Sequence, residues 1–192
     1  SGHQDSWRPL ARGFAMNIWL AIDTSTSRTI VGIIEGGQVT FEEFHEGATD
    51  HGRALSELVA KALKTCAPVT GVVVGMGPGP FTGLRVGISF AHSFALARDI
   101  PVVGVCSLDA IAIEESSYTV AVDARRKEIY WARYENGIRV DGPHVSKPDQ
   151  VAGFIFDVYP DMKKLVALAD TQNVSEPMYL RRPDAVPTAE RS

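Results

Sequence analysis

The chain has 192 residues, 45% of them hydrophobic and 22% charged, enough to bury one large core or two small ones. A net charge of −4 excludes the general basic field of a nucleic-acid-binding domain, and no apolar run is long enough to span a bilayer. Cys66 and Cys106 form neither a CxxC pair nor a metal-ligand spacing, which reads as buried free thiols in a reducing, cytoplasmic setting.

Residues 1–15 are polar, mixed and without period, and read as a tag remnant or leader ahead of Met16. Ile18 to Ile22 is a short apolar strand ending in Asp23, followed by the turn Thr24-Ser25-Thr26-Ser27 and a second strand, Thr29 to Ile34. Glu35-Gly36-Gly37 is a hairpin turn into a third strand, Gln38 to Phe44. Ala54, Leu55, Leu58, Val59, Ala62 and Leu63 recur at helical spacing, predicting an amphipathic helix over Thr49 to Lys64 with Thr49 or Asp50 as its N-cap. A strand at Val69 to Val74, a helix at Thr82 to Arg98 and a strand at Val102 to Val105 follow. The class expected is α/β with a mixed sheet.

The second half begins by repeating the first. Ala21-Ile22-Asp23 is matched one hundred positions on by Ala121-Val122-Asp123, and Glu35 and Gly37 by Glu135 and Gly137. Duplicated halves that face each other make a cleft. The copy then fades into Pro143, Pro148, an apolar stretch Val151 to Val158, a helix-like Met162 to Ala169 and a Pro-bounded extended end, Glu176 to Pro183. The division expected is an N-terminal lobe over 16–110 and a reduced C-terminal lobe and tail over 111–192.

Gly75-Met76-Gly77-Pro78-Gly79-Pro80-Phe81-Thr82-Gly83 lies between a strand and a helix, where glycines serve either a tight structural turn or a phosphate at the helix start. Asp23 and Asp123 end corresponding strands and could face a metal-bound phosphate, or could each cap its own turn. Neither following turn contains glycine: Thr24-Ser25-Thr26 offers hydroxyls, Ala124-Arg125-Arg126-Lys127 bulk and charge. These features predict at most a vestigial nucleotide site made of Asp23, Thr24, Ser25, Gly77, Gly79, Thr82 and Asp123, with no catalytic residue, no cofactor and no metal. The basic turn reads as solvated, with phosphate contact the alternative. No G-x-S-x-G nucleophile and no i,i+4 histidine pair occurs.

Gly83, Gly87, Ala91 and Ala95 recur every four residues along the second helix. Such a face admits another helix closely or packs on the protein's own sheet. Because Leu84, Ile88, Phe90 and Phe94 also need cover, the face is assigned to a partner, together with Leu55, Leu58, Val59 and Ala62 of the first helix.

The segments Leu20-Ala21-Ile22-Asp23-Thr24-Ser25, Gly77 to Arg85, Val122-Asp123-Ala124-Arg125-Arg126-Lys127-Glu128-Ile129-Tyr130 and Pro177-Met178-Tyr179-Leu180-Arg181 together resemble the TsaB (YeaZ) family. The resemblance implies an ASKHA (actin-like, RNase H-like) fold with two related lobes. It also implies a bacterial, non-catalytic scaffold needed for N6-threonylcarbamoyladenosine (t6A) beside the anticodon. The implied partners are the transferase TsaD and the ATPase TsaE, with tRNA met through the complex, a homodimer in the absence of TsaD, and no membrane. TsaD-like helical histidines are missing from Leu108 to Glu114, and Pro80 stands where the family usually has serine. The rivals are an ATP-dependent ASKHA phosphotransferase using Asp23 and Asp123, and an M22-type peptidase.

Overall fold

A computed structural model describes residues 17–181; the leader expected over 1–15 lies outside the described residues. Strand β1 (Ile18–Asp23) is buried at all six positions because it is central, antiparallel to β2 (Arg28–Glu35) on one side and parallel to β4 (Gly71–Gly75) on the other. A strand covered on both faces must be a continuous apolar run rather than an alternating one. β2 turns through Gly36 and Gly37, at φ 56° and 77°, into the exposed edge strand β3 (Gln38–Glu46). Two successive positive φ values are what a tight hairpin turn requires, and glycine supplies them without strain. β5 (Val102–Val105) completes the sheet in the order β3-β2-β1-β4-β5.

Helices α1 (His51–Leu63) and α2 (Phe81–Arg98) cover one face, closing a core of Leu20, Ile22, Val72 and Val74 against Leu55, Val59, Leu84 and Ala91. Burying Leu20 or Ile22 contributes about 1.5–3 kcal/mol each. The alternate strand positions, Trp19, Ala21 and Val73, face α3 (Met162–Leu168) on the other side, which sends in Met162, Leu165 and Val166. Asp50 precedes α1 as expected, but its carboxylate pairs with Arg53 and His45 rather than capping the helix.

The second sheet repeats the first in miniature. β6 (Ser117–Asp123), β7 (Ile129–Glu135) and β8 (Ile138–Ser146) form the same antiparallel trio, again joined by two left-handed residues, Asn136 and Gly137. β9 (Phe154–Ile155) lies parallel to β6 as β4 lies parallel to β1, giving the order β8-β7-β6-β9. The two sheets thus share one strand pattern, and the second is the smaller. The apolar stretch Val151 to Val158 yields only these two strand residues. α3 follows them in sequence, yet packs on the first sheet. Beyond it the chain runs back without regular structure, Val174 N donating to Gly104 O and Met178 N to Met76 O, each at 2.8 Å. Cys106 is buried, which pushes its thiol up to about 12, whereas Cys66 is only partly covered.

Candidate functional site

Between the lobes lies a cleft of about 900 Å³. Its first-lobe wall comes from Thr26, Ser27, Thr49, His51, Phe81, Thr82 and Gly83, its second-lobe wall from Val122, Asp123, Arg125, Phe156 and Asp157. Of the nucleotide-site residues expected from sequence, Thr82 and Asp123 line this cleft. Asp23, Thr24, Ser25, Gly77 and Gly79 lie outside its lining.

The reason is local chemistry. Ser25 donates to Asp23 Oδ1 through both its backbone N (2.9 Å) and its hydroxyl (2.6 Å), so the carboxylate caps its own turn. Asp23 is fully buried, and burial raises its carboxyl above the ordinary value against the opposing pull of the Ser25 and Ser107 hydroxyls. Gly75 passes so close that a Cβ there would stand 1.8 Å from Asp23 Oδ2. The Gly77 N–H is committed to Ser107 Oγ at 3.1 Å, and a Cβ on Gly79 would meet Ser25 O at 2.5 Å. Gly75 at the end of β4 therefore covers Asp23, and the loop behind it is packed on Ser25 and Ser107, with the Gly77 N–H spent inside the protein. Among the described residues no group of three His, Cys, Asp or Glu side chains could hold a metal ion.

The expected partner face is likewise inside the molecule. Leu55, Leu58, Val59 and Ala62 of α1 and Gly83, Gly87, Ala91 and Ala95 of α2 are all buried in this chain alone. Gly83 and Gly87 make room for Thr24, whose hydroxyl donates to Gly83 O at 2.6 Å. The outward faces carry Ser56 and Ala60 on α1 and Arg85, Ser89, Ser93 and Leu96 on α2, with Leu96 84% exposed.

His51, read from sequence as an ordinary helix residue, is buried at the cleft wall with Nδ1 2.7 Å from Thr29 Oγ1. Burial lowers its pKa from 6.5, assisted by Arg125 and His45 and opposed by Asp50. The unfolded chain therefore takes up the proton first as pH falls below 6.5, so stability is full above that value and declines below it. Urea midpoints measured from about pH 7 to about pH 5.5 should fall more steeply in the wild type than in His51→Gln. Parallel curves would refute this.

Sequence reading missed the shape of the turn after Asp123. Arg125, Arg126 and Lys127 all adopt left-handed conformations, at φ 61°, 53° and 59°. For residues with a Cβ this costs roughly 1–2 kcal/mol each, and a run of three is unusual. The turn is closed by Ala124 N to Glu128 O (2.9 Å) and Glu128 N to Arg125 O (3.0 Å), while Arg125 N donates to Asp123 Oδ1 at 2.9 Å. Arg181, at the end of the returning tail, grips its base by donating to Ala124 O at 2.8 Å and pairing with Glu128. Tyr179 in the same tail packs on Phe81 with ring centroids 4.8 Å apart.

Residues 45–186 match the family model of TsaD, tRNA N6-adenosine threonylcarbamoyltransferase. The TsaB of Escherichia coli is 34% identical across 62% of this chain and 57% of its own length. The crystal structure of YeaZ from Pseudomonas aeruginosa superposes with a TM-score of 0.68 at 25% identity, covering 80% of this chain and 91% of that one. The chain belongs to the TsaB/YeaZ family. An uncharacterised protein of Mycobacterium tuberculosis is 41% identical across 88% of this chain and 94% of the relative. The chain thus spans little more than half of the E. coli TsaB and nearly all of the mycobacterial protein. The family-like segments meet in space: residues 80–83 of the glycine loop and Asp123 and Arg125 of the turn line the cleft, and the tail joins the two, Tyr179 packing on Phe81 and Arg181 bonding Ala124 O.

Proposed function

We propose that this chain is a non-catalytic scaffold subunit of t6A biosynthesis, acting in the cytoplasm by binding a TsaD-type transferase and a TsaE-type ATPase. The supporting observation is Asp23. Metal-assisted phosphoryl transfer needs a carboxylate that reaches the phosphates, and this one is fully buried, bonded to its own turn and lidded by Gly75. Family membership supports the pathway, since relatives of this family bear the name tRNA threonylcarbamoyladenosine biosynthesis protein TsaB. The partner surface belongs to the same two helices, transferred to their outward residues Ser56, Ala60, Ser89, Ser93 and Leu96. The same surface would support a homodimer when TsaD is absent.

The test is co-purification with TsaD and TsaE together with an assay of t6A formation. Asp23→Asn keeps the shape and the Ser25 bonds and removes the ionisable group. It is expected to leave t6A formation unchanged and to raise thermal stability at neutral pH, because burial disfavours the charged form of the wild-type carboxyl. The sign follows from the raised pKa: the unfolded carboxyl releases its proton at lower pH, so the native state loses stability as pH rises through that window. Loss of t6A formation by a folded Asp23→Asn protein, or micromolar Mg-ATP binding abolished by Asp23→Ala, would instead favour the phosphotransferase.

A further inference from the structure

We propose that the left-handed turn Arg125-Arg126-Lys127, with the cleft beside it and the exposed ring of Phe156, is a contact site for the backbone and an unpaired base of RNA. The inference rests on the functional reading above and names the substrate that this part of the chain touches. Three observations carry it.

The first is conformation. Where this protein needs successive left-handed residues for a hairpin alone, it uses Gly36-Gly37 and Asn136-Gly137. At 125–127 it holds three long cationic residues in that conformation, and all three are exposed. Strain kept where glycine or asparagine would relieve it points to the side chains as the reason. The second is support from a distance. Arg181 spends its guanidinium on Ala124 O and Glu128, the two residues that close the turn, and so fixes it from a segment 57 residues away. A merely solvated turn has no need of such a clamp.

The third is the cleft itself. Arg125 lines it beside Phe156, which is 44% exposed, whereas the nearby Tyr159 ring is already covered by the Arg28 guanidinium at 3.7 Å. A cation for phosphate and an open aromatic face for a base are the elements of single-stranded RNA recognition. A free nucleoside triphosphate suits the cleft less well. Its metal would want carboxylates from both lobes, and Asp23 is sealed away. Asp123 and Asp157 disfavour an anion beside them, which leaves phosphate contact to the turn. RNA needs no such metal clamp, because cations alone neutralise its backbone.

The experiment measures binding of a fluorescent tRNA that reads A-starting codons, across a salt series, to the chain assembled with TsaD and TsaE and to the chain alone. Arg125→Ala/Lys127→Ala should weaken binding about five- to tenfold and lower the salt slope by about 1–2, with assembly unchanged. Phe156→Ala should weaken it about tenfold with the slope unchanged. Lys127→Gly should bind less tightly while melting about 2–4 °C higher, because strain is relieved as the charge is lost. Arg181→Ala, which removes no residue of the turn, should weaken binding, and Arg181→Lys should restore part of it. Unchanged affinity and slope in the folded double variant, in both formats, would overturn the proposal. So would displacement of bound tRNA by Mg-ATP that depends on Arg125, which would assign the cleft to a free nucleotide. A wild-type chain that fails to join TsaD would defeat the scaffold reading alone, since the tRNA arm on the isolated chain still decides this one.

Discussion

A leucine at Gly87 is expected to destabilise the fold strongly, not to detach a partner from an intact protein. A Cβ at this position would stand 2.3 Å from Thr24 Oγ1 and 3.1 Å from Thr24 Cγ2, and leucine adds three further carbons. Thr24 has little freedom to yield. It is buried, its hydroxyl is bonded to Gly83 O, and its neighbour Ser25 is tied to Asp23. Overpacking of about 1–3 kcal/mol adds to the loss of a buried hydrogen bond, so the total is of order 3 kcal/mol. That is a large share of a typical folding free energy and corresponds to a melting point lower by about 10 °C. Ser89→Leu, on the exposed side of the same helix, is the control and should stay within about 0.5 kcal/mol of wild type. A Gly87→Leu protein of normal stability that no longer binds TsaD would restore the external face.

This reversal shows where sequence stops being informative. The order of strands and helices, the hairpin turns and the hundred-residue duplication were legible because each rests on local chemistry: apolar period, glycine at positive φ, Asp at a strand end. The four-residue spacing of Gly83, Gly87, Ala91 and Ala95 correctly marks a face of close approach. It does not say what approaches, and here it is Thr24, 59 residues from Gly83 along the chain. Phe90 and Phe94, which suggested a missing partner, stack on each other with centroids 5.9 Å apart within the same helix.

The two aspartates diverge for a similar reason. Their sequence settings match, yet Asp23 is sealed and Asp123 is exposed. In the first lobe β4 runs beside β1 as far as Ile22 opposite Val74, and its last residue, Gly75, passes over Asp23. In the second lobe β9 pairs only as far as Val120 opposite Ile155, and among the described residues no strand covers Asp123, which is exposed. Reduction of the second lobe left its strand-end carboxylate and its cationic turn open to the cleft. Bulky, glycine-free residues at 124–127 argued against an anion-binding loop, because sequence offers no sign that arginine and lysine will accept left-handed backbone there.

The second large effect is expected at Asp109, which sequence did not single out at all. It sits in the 3₁₀ turn Leu108–Ala110 that joins the two sheets; its carboxylate accepts from Tyr134 Oη (2.7 Å), Gln172 Nε2 (2.7 Å) and Arg139 Nη2 (3.3 Å), and the Arg139 guanidinium pairs with it. Gln172 in turn accepts the Cys106 N–H at 2.9 Å. One buried carboxylate thus ties the inter-sheet turn to β7, β8 and the start of the returning tail. The Tyr134 phenol is held far above its ordinary range, first by burial and then by this carboxylate, so it serves as a permanent donor. Asp109→Ala leaves a half-buried guanidinium, the buried Tyr134 hydroxyl and the partly buried Gln172 amide without their acceptor, a loss of about 3–5 kcal/mol. Asp109→Ala combined with Arg139→Met should be less damaging than the sum of the single changes, because the second change removes the stranded charge. Hydrogen exchange separates this account from a simple packing defect. The amides of Val174 and Met178, which tie the tail to Gly104 and Met76, should lose protection in Asp109→Ala before the central strand β1 does. Uniform loss of protection would mean that Asp109 stabilises the whole fold without governing the tail that carries Arg181 to the turn at 124–128.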